Sequence, residues 1–207
     1  MSQYVDLTES SDDNAIDISY LLNNPSFERY DEECKPIAWT VSGDGVIEKG
    51  YLSGCNGRLY MNNWQGSGTL SDRSVSQTVR NLPPGKYRLQ AYSKCEADGA
   101  YLFANETTAS MKHGATPTDT SLDFELEADA DVTLGVKLEN YQANDFKYDH
   151  IRLYCTGTTI PTSITDAHAG SNTQHKNGKF LENGKIVILK DSRKYNVTGQ
   201  QLSTNRE

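Results

Sequence analysis

Asp131-Val132-Thr133-Leu134-Gly135-Val136-Lys137-Leu138-Glu139 alternates polar and apolar residues without a break. A period of two is the signature of a strand with one face in a core. Val132, Leu134, Val136 and Leu138 take one side, and Thr133, Gly135 and Lys137 take the other. The same pattern recurs on both sides of this stretch. In 86–92, Tyr87, Leu89 and Ala91 oppose Arg88, Gln90 and Tyr92; in 58–64, Leu59 and Met61 oppose Arg58, Tyr60, Asn62 and Trp64.

Short segments of this kind are expected at 37–41, 45–49, 58–64, 74–80, 86–95, 100–105, 121–127, 131–139 and 146–155. Ser42-Gly43-Asp44-Gly45, Pro83-Pro84-Gly85 and Ala97-Asp98-Gly99 separate them with residues that tight turns favour. No stretch sustains a helical period. Many short strands at this spacing predict an all-β sandwich or barrel over 17–156, not a parallel α/β sheet.

The flanks differ from this body. Residues 1–16 are rich in Ser, Asp and Glu and are expected to form a flexible leader. Residues 157–175 have the composition of a linker, starting at Gly157-Thr158-Thr159-Ile160-Pro161. In 176–207, Asn177-Gly178, Asn183-Gly184 and Thr198-Gly199 bracket short apolar runs and predict a small β-rich appendage of the hairpin type.

Charge is divided along the same boundary. The whole chain carries −8, while 157–207 carries +3, so the body holds −11. An acidic body argues against nucleic acid, whose recognition rests on clustered Lys and Arg. No apolar run is long enough to enter a membrane as a helix. Cys34, Cys55, Cys95 and Cys155 are widely spaced without a C-x-x-C pair, which argues against zinc and leaves two disulfides or four thiols open.

Enzyme readings find little support. His113, His150, His168 and His175 lie outside any zinc-binding helix or nucleophile elbow, and no Glu stands out as half of a glycosidase pair. The polar-aromatic face built from Tyr60, Asn62, Trp64, Gln90 and Tyr92, with Arg73 nearby, suits a sugar instead. Rings stack on its C–H surface, and amide and guanidinium groups bond its hydroxyls. A protein-interaction or adhesion domain would use the same face, and a small glycoside hydrolase is a further alternative. Trp39 is expected in the core, and Tyr141 as a turn residue that could instead serve a second binding loop.

Three blocks carry a family resemblance. Asn23-Asn24-Pro25-Ser26-Phe27-Glu28 followed by Ile37-Ala38-Trp39-Thr40 is similar to the opening of galactose-binding-like carbohydrate-binding modules, with Ala38 where glycine is usual. Ser74-Val75-Ser76-Gln77-Thr78-Val79 and Leu82-Pro83-Pro84-Gly85-Lys86-Tyr87-Arg88-Leu89 resemble the centre of those modules. Phe146-Lys147-Tyr148-Asp149-His150-Ile151-Arg152-Leu153 resembles their closing strand. The resemblance covers roughly 17–156. It implies a jelly-roll sandwich that binds poly- or oligosaccharide without catalysis, alone or beside other surface or enzyme modules.

It also implies a structural Ca²⁺ held by Glu28, Asp149 and an oxygen of Asn24. The parity of Asp149 with Ile151 and Leu153 puts its carboxylate toward the core, where it needs a cation or several donors. The segment from Lys176 to Gln200 resembles C-terminal segments of surface polysaccharide-utilisation proteins of gut bacteria. That implies a secreted or cell-surface protein whose signal peptide has been removed.

Overall fold

The computed structural model describes residues 7–49 and 52–158, together with the strand segments 178–182, 185–190 and 193–195. It divides into two compact units, Met1–Thr162 and Ser163–Glu207. The larger unit is an antiparallel β-sandwich, as the alternating sequence predicts.

Its strands are β1 (Ile16–Asp17), β2 (Thr40–Ser42), β3 (Val46–Lys49), β4 (Leu59–Trp64), β5 (Arg73–Leu82), β6 (Gly85–Cys95), β7 (Ala100–Ala104), β8 (Thr107–Ser110), β9 (Gly114–Leu126), β10 (Ala130–Leu138) and β11 (Asp145–Thr158). One sheet runs β3-β4-β11-β6-β9, with β1 added beside β11. The other runs β2-β5-β10-β7-β8. The chain passes from one sheet to the other at nearly every connection after β4, which is jelly-roll topology. Pro83 and Pro84 make one such corner: lacking N–H groups, they end the β5 ladder and release β6 into the opposite sheet.

The inward faces meet in one core. Val75, Val79, Leu102, Val132, Leu134, Val136 and Leu138 come from the second sheet; Ile47, Met61, Tyr87, Leu89, Ala91, Ile151 and Leu153 come from the first. Trp39 closes the core edge, with its ring 5.3 Å from Phe27 and its Nε1 donating to the Asn24 carbonyl at 3.0 Å. Tyr141 lies in the connection between β10 and β11, as expected, but its side chain is a buried plug and not a binding-loop aromatic. Its hydroxyl accepts from the Glu96 amide and donates to the Asp145 carbonyl.

Several local expectations change. Residues 37–39 form a turn, and only 40–42 form the strand. The edge strand β8 and the first half of β9 were not expected, because Thr107-Thr108-Ala109-Ser110 and Gly114-Ala115-Thr116-Pro117 have turn-like composition. Part of the stretch read as a leader lies on the sandwich: Leu7 packs against the core, and Ser10 Oγ meets Cys155 Sγ at 3.3 Å. All four cysteines are free thiols, with Cys95 and Cys155 buried.

The smaller unit contains an antiparallel sheet of β12 (Gly178–Glu182), β13 (Lys185–Lys190) and β14 (Arg193–Tyr195), in that order. The linker from residue 159 onward, with His168 and His175, lies outside the described residues, as do the dipeptides Asn183-Gly184 and Thr198-Gly199.

Candidate functional site

Strand β11 is the axis of the site, because it lies between β4 and β6. On its outward face Asp145 stands opposite Trp64, and Lys147 stands between Asn62 and Lys94. Residues directly opposite in antiparallel strands project to the same side, so these side chains form one patch. With Glu48 from β3, they line an open groove of about 530 Å³.

The backbone beneath Trp64 is pinned. Gln65 N donates to the Asn144 carbonyl at 3.0 Å, and Asn144 Nδ2 returns a bond to the Gln65 carbonyl at 2.9 Å. Gln65 Nε2 closes the 65–69 loop onto the Thr69 carbonyl. Trp64 therefore projects from a fixed base, yet its side chain is 63% exposed. An indole this open, on a rigid strand end, offers an apolar plane at the groove wall.

Both lysines of the polar wall are paired with carboxylates. Asp145 accepts from Lys147, and from Lys94 at 3.4 Å. Lys94 also bonds Glu96 at 2.5 Å, and that bond is the main reason its pKa is raised. Asn62 is only 7% exposed, and its Oδ1 accepts no hydrogen bond from any described residue. A buried amide oxygen in that state lacks roughly 1–3 kcal/mol that a donor would restore.

The other residues read as ligand-binding lie elsewhere. Tyr60 shares the outward parity of Asn62 and Trp64 but is wholly buried. Gln90 donates to Ser121 Oγ, and Tyr92 donates to the Ser53 carbonyl beneath the loop that precedes β4. Arg73 belongs to the other sheet, and its guanidinium is committed to Ser71 and to the Asp44 carbonyl. Of the six, only Asn62 and Trp64 line the groove. Glu48, Lys94, Asp145 and Lys147 complete it and were missed. Lys94 has the parity of Gln90 and Tyr92, so continuing that count two residues further would have found it.

A second cluster lies two residues along β11. Between Asp149 and Arg152 the strand bulges at His150, whose φ is 53°. The bulge puts Asp149 opposite Tyr92 and Arg152 opposite Gln90. Both thus share the outward face, and the core-side parity expected for Asp149 is corrected: one extra residue reverses the count. Asp149 is nonetheless fully buried, because the 52–57 loop covers it and the Asn56 amide donates to its Oδ2 at 2.6 Å.

Glu28 anchors the far end of that loop, with Oε1 accepting from the Arg58 and Leu59 amides at 2.7 and 2.9 Å. Gly57 makes the close approach possible; its φ is +91°, and a Cβ there would fall 2.3 Å from Glu28 Oε1. Burial, and then the neighbouring Glu28 charge, push the Asp149 carboxyl up to about 7 against two lowering backbone bonds. Its Oδ1 has no partner among the described residues.

Asn24 does not join this pair. Its side chain bonds both main-chain groups of Arg29 and the Ile37 carbonyl, while its own carbonyl accepts from Trp39. Among the described residues, no group of three or more His, Cys, Asp or Glu could hold a metal. A cation at Asp149 and Glu28 would need further oxygens from main chain, amide or water.

No protein-family model matches the chain, and no curated protein matches it in sequence. Similar solved structures do exist. The cyclase from Fischerella sp. TAU has a TM-score of 0.53 at 12% identity, over 70% of this chain and 98% of that one. The carbohydrate-binding module TmCBM61, solved with β-1,4-galactotriose, has a TM-score of 0.51 at 19% identity, over 65% of this chain and 97% of that one. At such identities the likeness is one of fold, and the fold shared is the β-sandwich of carbohydrate-binding modules.

Proposed function

We propose that the larger unit is a non-catalytic glycan-binding module, and that the groove lined by Trp64, Asn62, Lys147, Asp145, Lys94 and Glu48 takes the sugar. The observation that carries this is Trp64, 63% exposed at the wall of a groove otherwise lined by hydrogen-bonding groups. An apolar plane beside donors and acceptors matches a pyranose, which has a C–H face and a hydroxyl edge. The sandwich shared with a galactotriose-binding module supports this reading. An open groove suits binding of an internal stretch or end of a chain, at the micromolar-to-millimolar affinities typical of shallow sites.

A structural Ca²⁺ at Asp149 and Glu28 belongs to the same proposal. The buried, unpartnered Asp149 Oδ1 beside a second carboxylate supports it, and oxygen donors from separate segments suit a hard cation. Its role would be to hold the 52–57 loop on the sheet, at a distance from the sugar. A secreted or cell-surface setting, shared with other surface or enzyme modules, fits an acidic protein that reads extracellular polysaccharide.

Affinity electrophoresis through gels containing soluble polysaccharides tests the function. Retardation by at least one glycan, lost in Trp64→Ala, is the expected result. Normal migration in every gel, with retention on a protein partner instead, would support an adhesion domain. Release of new reducing ends from the polysaccharide would support a hydrolase.

A further inference from the structure

We infer that the groove takes uncharged glycans and discriminates against uronic acids. This rests on the groove being the glycan site and adds the class of sugar it accepts.

The groove contains charges of both signs, and both of its lysines are already paired with carboxylates. Two lysines and two carboxylates line it, and Asp145 sits between the lysines, bonded to both. Lys94 has a second carboxylate partner in Glu96. An incoming uronate would therefore meet no cation free of an anion among the lining residues. It would also sit beside Asp145 and Glu48, where like-charge proximity disfavours it. Lys147 is 8% exposed, so its ammonium cannot swing away from Asp145 to meet a uronate.

The neutral alternative fits the charge pairs as they stand. A hydroxyl both donates and accepts, where a carboxylate only accepts. Asn62 and Trp64 are two residues apart on one strand face, roughly 7 Å in strand geometry. A ring stacked on Trp64 would present its hydroxyl edge toward Asn62 and the Lys147–Asp145 pair. That pair supplies one donor and one acceptor side by side, the complement of two adjacent hydroxyls, each of which donates and accepts.

Isothermal titration of the full chain tests this with neutral gluco-, xylo-, manno- and galacto-oligosaccharides and oligogalacturonates of matched length. At least one neutral series should bind in a Trp64-dependent manner, and its affinity should change little between low and high salt. The oligogalacturonates should bind at least about tenfold more weakly. Asp145→Asn removes the anion between the two lysines and should shift the ratio toward oligogalacturonate. Trp64-dependent binding of oligogalacturonate, tighter than any neutral series, would overturn the selectivity and leave the glycan site standing. An unchanged ratio in a correctly folded Asp145→Asn protein would overturn the charge-pairing argument. If no sugar of any charge binds through Trp64, the glycan reading itself falls.

Discussion

Lys147 and Asp149 stand two residues apart on one strand and face the same way, yet one borders an open groove and the other is sealed beneath a loop. Each neighbourhood holds a buried oxygen without a partner among the described residues, Asn62 Oδ1 in the groove and Asp149 Oδ1 under the loop. What covers the sheet, not what the sheet presents, separates the two. Where Trp64 stands at a strand end, the face is an open groove. Where Gly54 and Gly57 let a loop press onto Tyr92 and Glu28, the face is closed.

The widest separation between the two regions should appear in Trp64→Ala. Losing the indole should weaken glycan binding about 30-fold, equivalent to about 2 kcal/mol of stacked apolar area. The melting temperature should stay put, because the side chain is exposed. A fall in both would mean that Trp64 supports the sandwich as well.

The sealed cluster should respond to calcium and pH instead. Asp149 has its folded pKa raised from 3.8 to about 7. Between those values the folded state holds the proton that the unfolded state has released. Stability of the cation-free protein should therefore fall as pH rises through that window and level off above it. Calcium should raise the melting temperature at pH 8 and much less at pH 5, measured by differential scanning fluorimetry with chelator as reference. Asp149→Asn should abolish the response and leave glycan binding intact. A calcium-insensitive wild-type protein would remove the cation from the account.

Asn62→Leu offers a smaller and more pointed contrast. It removes a buried acceptor that has no described partner, so stability should hold or rise by about 1 kcal/mol while glycan binding weakens. Loss of stability would show that Asn62 serves the fold. Arg73→Ala should have the least effect on binding, since Arg73 lies on the other sheet and its guanidinium bonds Ser71 and Asp44. Gel retardation equal to wild type is the expected result.

Much of the fold was legible in the sequence because alternation reports burial directly. Val132 to Leu138 and Tyr87 to Ala91 lie in the core as their parity requires. The site was legible only where one strand sufficed. Asn62 and Trp64 follow from the parity of β4, but Lys94, Asp145, Lys147 and Glu48 join them through a pairing register that no single strand encodes. Asp149 was misplaced for a different reason. A bulge at His150 shifts the count by one, and nothing in Tyr148-Asp149-His150-Ile151 marks it. Gln90 and Tyr92 have the right face but are engaged by Ser121 and by the 52–57 loop. Loop cover, unlike parity, has no period to read.

If the groove is the glycan site, Trp64 is the surface that a sugar occupies. Acrylamide quenching of tryptophan emission tests it most directly, because Trp39 is buried and Trp64 is open. Adding a glycan that retards the protein in affinity gels should protect the quenchable component, and Trp64→Ala should lack that component altogether. Unchanged quenching with the glycan bound would place the sugar elsewhere and contradict the account.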